Sequence, residues 1–344
     1  MSRVAVALSG GVDSAVVAAI LKEQGHEVLG ITARMFCAEK SEAIVLKAQN
    51  VAEKLGIEHF IFDVSREFDN KVVKYFENSY RKGLTPNPCI LCNKHIKWGL
   101  LLDYAINELK VDKIATGHYA NIENVDGIYK LYPAFDEQKD QLYFLFLLNQ
   151  YHLAKTLFPL SKLKKDEVRL LAEKYDLPVK SAKESQDICF IKPPLTTKKY
   201  LNSILSSQKG NFVEKKTGRV LGFHDGFWQY TVGQRKGIGL AAPEALYVLE
   251  VEPKSNTVYV GYKDELEKDF LTLDYIDWIY PIFDKKFEAL VKIRYNMKPV
   301  RAIVDLSGES ITIKFLESVS GIAPGQACVL YDINDGHLLG GGFI

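Results

Sequence analysis

"VALSGGVDSAVVAAIL", residues 6–21, decides how the first half of this chain is read. An apolar strand runs into a turn of small residues, and in the segment after it Val12, Val16, Ala19 and Ile20 share one helical face. A strand–turn–helix unit leaves unpaired N–H groups at the helix start, and together with the helix dipole these favour an anion. Gly10 and Gly11 permit close approach of a ligand, and Ser9 and Ser14 add hydroxyl donors. The turn lacks the lysine with which phosphate loops of nucleoside triphosphatases act on the γ-phosphate. A backbone cradle without it suits pyrophosphate held as a leaving group, with attack at the α-phosphate. Asp13 is then the candidate ligand for Mg²⁺, a hard cation that takes carboxylate and phosphate oxygens. The competing reading is a tight turn that uses Ser and Gly for geometry alone.

Outward from this turn, the first 120 residues alternate two patterns. "RVAVAL" (3–8), "EVLGITA" (27–33), "HFIFDV" (59–64) and "DKIATGH" (112–118) are short and apolar, as strands are. Helical patterns lie between them, as with Ile44, Ala48, Val51 and Leu55, and Gly25 and Gly56 stand where helices should end. The alternation predicts an α/β fold: a parallel sheet covered by helices, with ligands outside the carboxyl ends of the strands. Residues 120–135 read as a hairpin turning at Asp126-Gly127, and "KKDEVRLLAEKYDLP" (164–178) as a helix. "KPPLTTKK" (192–199) reads as a linker edge. From about residue 210 strand-like runs follow at short spacing, which predicts an all-β, barrel-like C-terminal half in two units meeting near residue 268. The expected division is therefore 1–200, 201–267 and 268–344.

A chain of 344 residues is long enough for two or three domains, and its 47% apolar and 25% charged residues are ordinary for a water-soluble protein. A net charge of +1 makes no global electrostatic case for nucleic acid, so any RNA contact must come from local basic patches. The first residues do not read as a signal peptide, and no apolar run reaches the length of a membrane span, so a cytoplasmic location is expected and a membrane partner is not. A structural disulfide framework is not expected of five cysteines in such a chain. Cys328, in "PGQACVLYD", reads as a small core residue, and Cys37 carries no recognisable context.

The other three cysteines lie in "LTPNPCILCNKHIKWG" (84–99) and "KESQDICFI" (183–191). The flanking TPNP makes the first segment a loop. Cys92 stands before a helix predicted to begin near Asn93 or Lys94, whose dipole would lower the thiol pKa. A thiolate can carry a persulfide and release sulfur by forming a disulfide with a second cysteine. For Cys189, between Asp187 and Phe190-Ile191, burial in a strand is the alternative.

SGGVDS resembles the PP-loop of the ATP pyrophosphatase superfamily, whose members make adenylated intermediates. Seven ordered blocks narrow the resemblance to the tRNA-specific 2-thiouridylase family across essentially the whole chain. They are "ALSGGVDS" (7–14), "TPNPCILCNKHIKW" (85–98), "ATGHYA" (115–120), "KDQLYFL" (139–145), "SQDICFI" (185–191), "YTVGQRKGIGL" (230–240) and "VKIRY" (291–295). The resemblance implies that ATP, with Mg²⁺, adenylates O2 of the wobble uridine in tRNAs reading Lys, Glu and Gln codons. A sulfur atom from a donor protein, a cysteine desulfurase or a sulfur-relay protein, then displaces AMP. It implies Cys92 as nucleophile, Cys189 as persulfide carrier, and a disulfide between them after transfer. Ala7, Leu8, Ser9, Gly10, Gly11, Val12, Asp13, Ser14, Ala33 and Gly117 match ATP-binding positions. Asn87, Pro88 and Cys89 match the stretch against the target base, and Lys139, Asp140, Gln141, Arg294 and Tyr295 match tRNA-contacting positions.

Read without the resemblance, these last residues have plainer alternatives. Lys139-Asp140-Gln141 could open a helix, with Asp140 near its positive end, and Arg294 and Tyr295 could be strand residues with exposed tips. Arg with Tyr also suits RNA, through phosphate pairing and base stacking. His118 reads as a hydrogen-bonded structural histidine at a strand end, with a ligand-site residue as the alternative, and "GQRKG" (233–237) as an RNA-backbone loop or a solvated turn.

One position departs from the family. Many members have aspartate three residues before the nucleophile, and here that residue is Cys89. Any role of that aspartate as a base is not carried over. The change creates C-x-x-C, and with Cys189 three thiolates could hold a [4Fe–4S] cluster with one iron open, a second route for sulfur. A PP-loop amide or C–N ligase is a further alternative, and it would not need Cys92.

Overall fold

The computed structural model describes residues 1–36, 39–180, 188–191 and 194–344, with the side chains at 39 and 40 excepted. Cys37, residues 181–187, and so the SQD part of the 185–191 block, lie outside the described residues, as do Lys192 and Pro193 of the expected linker edge.

The N-terminal half is built on a parallel sheet of β1 (Arg3–Ala7), β2 (Glu27–Arg34), β3 (His59–Asp63), β4 (Lys113–Ala115) and, after the hairpin of β5 (Asn121–Val125) and β6 (Ile128–Tyr132), β7 (Thr156–Leu157). The spatial order is β3-β2-β1-β4-β7. Chain direction across the sheet therefore reverses between β1 and β4, and the carboxyl ends of those two strands flank the crevice where doubly wound sheets bind ligands. Alternation along β1 explains the two-sided burial. Val4 and Val6 pack with Val12, Ala15 and Val16 of α1 (Val12–Glu23) and with Ala48 and Val51 of α2 (Glu39–Leu55), while Ala5 faces a second core with Leu29, Ile31, Trp98 and Phe146.

Strands Gly210–Glu214, Val220–His224, Tyr247–Glu252 and Thr257–Gly261 form a four-stranded sheet. Seven strands from Glu267–Leu273 to Leu338–Phe343 form an antiparallel one. The helix Thr197–Ile204 runs through the boundary expected at residue 200. The seven-stranded sheet is fused to the N-terminal half through strand Ala327–Asp332. Its Ala327, Val329 and Tyr331 belong to the Trp98 core, and Cys328 and Leu330 to the sheet's own core. Tyr143 Oη donates to the Ala327 carbonyl at 2.8 Å across this junction. Cys328 is fully buried, as its sequence context predicts. Among the described residues no helix is long and apolar enough to cross a membrane.

Candidate active site

Ser9 to Ser14 close the carboxyl end of β1. Gly10 adopts φ +72°, and an added Cβ would lie 3.1 Å from the Ile44 carbonyl and 3.2 Å from Lys47 Cβ, so glycine is required for both conformation and space. Gly11 caps α1 without any side-chain hydrogen bond, which leaves the first-turn N–H groups for a ligand. Ser14 Oγ accepts from Ser9 N at 3.1 Å and donates to the Gly11 carbonyl at 3.2 Å, fixing the loop from inside. Gly117, just past β4, presses on the same turn from the neighbouring strand end: a Cβ there would lie 2.9 Å from Asp13 Cβ and 3.0 Å from Ser14 N. Ala33 lies near the end of β2, paired in register with Phe62. An uncapped helix start, a glycine cradle and a carboxylate beside it fit a nucleotide phosphate with its cation.

Tertiary structure adds what the loop lacks. Lys165, first residue of the helix Lys165–Lys174, lies with Nζ 2.6 and 2.7 Å from the two carboxylate oxygens of Asp13. Tyr119 Oη donates to Asp13 Oδ1 at 3.0 Å. The pairing spans 152 residues. Sequence reading missed Lys165 because a lysine in a lysine-rich helix start carries no local mark of such a partner.

The thiols come from the helical run 88–107. Its start is set by Asn87, whose side chain accepts from Cys89 N at 3.2 Å, and by Pro88 in the first position, where its missing N–H costs nothing. The helix therefore begins about five residues earlier than expected, and Cys92 sits inside it. The expected lowering of its pKa is overturned. Cys92 is 8% exposed, in a cluster with Val64, Phe68, Val72 and Ile96, and loss of water pushes the thiol up to about 12. The nearby Lys97 charge opposes that rise, and Cys189 and Cys89 add to it, so the three sulfurs share one electrostatic neighbourhood. From Cys92 to Leu101 the helix uses i→i+5 hydrogen bonds. This wider coil brings Cys92 and Lys97, five apart, to one side. Lys97 Nζ donates to His118 Nε2 at 3.1 Å, and His118 Nδ1 bonds Thr116 Oγ1 at 2.8 Å. Burial holds the His118 pKa well below its ordinary value, so a neutral ring accepts from Lys97, a structural part as expected.

Cys189 is exposed, in a turn rather than a buried strand. Phe190 anchors that turn edge-on to Phe68 at 6.1 Å and Phe76 at 5.2 Å, and Ile191 is buried beside Phe76. Because Phe68 also packs on Cys92, the two candidate thiols are tied to one apolar cluster. Cys89 is exposed at its surface yet closely surrounded. Desolvation raises its thiol, and Lys97 counters the rise. A direct consequence concerns alkylation of the tRNA-free protein. With a pKa of about 12, Cys92 should react with iodoacetamide on the order of a hundred- to a thousandfold slower at pH 7 than an ordinary cysteine, and nearly tenfold faster per pH unit up to pH 10. Peptide-resolved mass spectrometry would read this, and a flat pH profile would refute it.

Among the tRNA-matched residues, Tyr295 lies within electrostatic reach of Asp140 and Lys139. Tyr295 packs on Phe144 with ring centroids 4.5 Å apart, and Lys292 lies over the Tyr295 ring. Several of these residues act as joints within the fold. Asp140 accepts from Ala134 N and Leu142 N at 3.0 and 3.3 Å, two residues ahead of a short 3₁₀ turn. Gln141 exchanges two hydrogen bonds with the Tyr119 backbone, at 2.9 and 3.0 Å. Arg294, just past strand Lys286–Lys292, donates to the carbonyls of Val232 and Gly321, joining loops of the two β units. Sequence reading also missed Gln326, which donates to the Thr85 carbonyl at 2.7 Å, while Thr85 N donates to Pro324 O at 2.7 Å and Thr85 Oγ1 to Thr231 Oγ1 at 3.2 Å. The loop leading to Asn87 is thereby clamped by both β units.

Burial pushes Asp140 from 3.8 to about 6, against its two N–H donors. A carboxyl raised in the folded state holds a proton there that the unfolded chain releases, so stability falls as pH rises from 4 to 6 and the loss is complete above that window. Asp140→Asn should lessen this fall by about 1–2 kcal/mol, read as the difference between urea melts at pH 4 and pH 7 in the two proteins.

A parallel sheet of order β3-β2-β1-β4-β7 with a phosphate cradle at its switch point, continued by two β units, defines a nucleotide-binding HUP domain extended by barrel-type modules. Family models match accordingly: "tRNA methyl transferase HUP domain" over residues 2–193, "tRNA methyl transferase PRC-barrel domain" over 198–262 and "Aminomethyltransferase beta-barrel domain" over 268–344. Curated relatives called tRNA-specific 2-thiouridylase MnmA include those of Geotalea uraniireducens, Gloeothece citriformis and Aquifex aeolicus. They are 45%, 42% and 40% identical, over 99%, 100% and 99% of this chain and 94%, 99% and 98% of their own. The chain belongs to the tRNA-specific 2-thiouridylase family, whose enzymes are tRNA-uridine 2-sulfurtransferases.

Proposed function

We propose that the protein thiolates the wobble uridine of tRNAs for Lys, Glu and Gln in the cytoplasm, in three cooperating stretches, 1–200, 201–267 and 268–344. ATP binds at Ala7–Ser14, Ala33 and Gly117 with Mg²⁺ at Asp13. Uridine O2 attacks the α-phosphorus and pyrophosphate departs into the cradle of α1. A donor protein, a desulfurase or sulfur carrier, leaves a persulfide on Cys189. The Cys92 thiolate attacks its inner sulfur, releasing hydrosulfide and forming the Cys92–Cys189 disulfide. Hydrosulfide then adds at C2 and expels AMP, and an external thiol reductant regenerates both cysteines. Asn87, Pro88 and Cys89 face the base, and Lys139, Asp140, Gln141, Arg294 and Tyr295 the tRNA.

The observation that carries this reading is the common placement of Cys92 and the Cys189 turn on one apolar cluster, in a chain matched end to end by 2-thiouridylases. Lys97, whose charge already opposes the rise in the Cys92 pKa, is the group that favours its thiolate during the reaction. The test is thiolation of unmodified tRNA with ATP and either a persulfide donor or sulfide, with nucleotide products analysed. AMP with pyrophosphate, and dependence on Cys92 and Cys189, support the proposal. ADP instead of AMP would refute it. AMP and pyrophosphate formed without 2-thiouridine, and independently of Cys92, would favour a C–N ligase. Requirement for Cys89 together with stoichiometric iron and sulfide after anaerobic purification would replace the persulfide route with a [4Fe–4S] one.

A further inference from the structure

The Asp13–Lys165 pair stands against the turn of α1 whose N–H groups make the anion cradle, and its members carry the two charges that a magnesium nucleotide calls for. Lys165 is 9% exposed, and the Asp13 side chain is the more open of the two, at 32%. The lysine is brought there deliberately by the fold. Its backbone N–H donates to Asp136 Oδ2 at 2.9 Å, and Val168 and Ala172 of its helix pack with Val12 and Ala15 of α1. The Tyr119 ring lies 5.8 Å from Nζ, so one tyrosine holds both partners.

A buried ion pair adds little net stability compared with apolar packing, whereas breaking one by removing a single partner leaves a costly lone charge. A pair that trades partners avoids that cost. If Asp13 turns to a divalent cation and Lys165 to phosphate oxygens, every charge in the pocket stays compensated, before and after binding. We infer that Lys165 is a pyrophosphate-binding residue of this site, and that its bridge to Asp13 is exchanged when the magnesium nucleotide enters. The inference rests on the reading of this loop as an ATP site and names the cation that the loop itself does not encode. Lys165 then grips the β- and γ-phosphates and stays on pyrophosphate as it leaves, and the Asp13 bridge re-forms on its release.

Calorimetric titration of the full chain without tRNA tests this apart from sulfur transfer, with MgATP, AMP and metal-free pyrophosphate as separate ligands. Lys165→Gln should weaken MgATP about ten- to a hundredfold, the worth of a charge-assisted hydrogen bond, and AMP, which lacks the outer phosphates, less than twofold. Asp13→Asn gives the opposite sign in one arm. It should weaken MgATP yet tighten metal-free pyrophosphate severalfold, because the competitor for Lys165 is gone. Equal loss of ATP and AMP in Lys165→Gln, or unchanged ATP affinity, would show the bridge to be a brace between two helices. Should Lys165→Gln fail to fold, the Asp13→Asn arm decides alone: pyrophosphate affinity that is unchanged or weaker overturns the inference. A chain that binds ATP as described but yields no 2-thiouridine would sink the proposed reaction and leave this inference standing. A chain that binds no ATP at all would remove both.

Discussion

Cys92→Ala is expected to cut tRNA thiolation at least about a thousandfold, with ATP and tRNA affinities within twofold of the parent. The asymmetry follows from where the sulfur lies. Cys92 belongs to the Val64–Phe68–Val72–Ile96 cluster, whereas Val12 and Ala15 at the start of the cradle helix belong to another, so its removal leaves the packing under the phosphate turn unchanged. Alanine is the better probe than serine, because a hydroxyl in that apolar wall would itself be costly and confuse activity with folding. Loss of one sulfur atom should cost only about 1 kcal/mol in stability. Single-turnover assays with saturating persulfide donor would measure the effect. Cys189→Ala should match it, since the proposed route uses both thiols in sequence. A C–N ligase would form AMP equally well in the parent and in both variants, without thiolating tRNA in any of them.

Gly117→Ala is expected to be nearly as damaging, through nucleotide binding. The added methyl group meets Asp13 Cβ, Ser14 N and the Asp13 carbonyl carbon at 2.9–3.1 Å. None of these is the far end of a flexible chain, so the first turn of α1 or the end of β4 has to move. Overpacking of this kind costs about 1–3 kcal/mol. The displaced atoms are the ones that aim the cradle and carry Asp13, so ATP affinity should fall more than tenfold while tRNA binding at the β units changes little. Equilibrium dialysis with ATP and a tRNA filter assay separate the two. Normal ATP binding in a folded Gly117→Ala protein would remove the crevice between β1 and β4 from the nucleotide site. The tRNA interaction itself should weaken steeply with salt, because a chain of net charge +1 must bind through local phosphate contacts.

Much of the N-terminal half was legible because it is written in short-range patterns. Short apolar runs at 3–8, 27–33 and 59–64 became β1, β2 and β3, and Asp126-Gly127 turned the β5–β6 hairpin, with both residues at positive φ. The helix start at Pro88 was equally local. Asn-Pro is a cap followed by a first-position proline, and reading it as loop alone shifted the helix and reversed the sign of the thiol shift at Cys92.

What the sequence by itself determined was the glycine cradle of Ser9–Ser14 at a strand end, the parallel α/β half, the β-rich remainder, and the pair of cysteine-bearing segments. These depend on backbone conformation and on patterns spanning a few residues. Tertiary structure alone decided which charges those parts feel. Lys165 reaches Asp13 from 152 residues away, Gln326 clamps Thr85 from 241, and a burial assembled from β3, two helical runs and the Phe190 turn sets the Cys92 thiol near 12. Electrostatics inside a protein follows distance and desolvation, and both come into being only when segments remote in sequence are packed together.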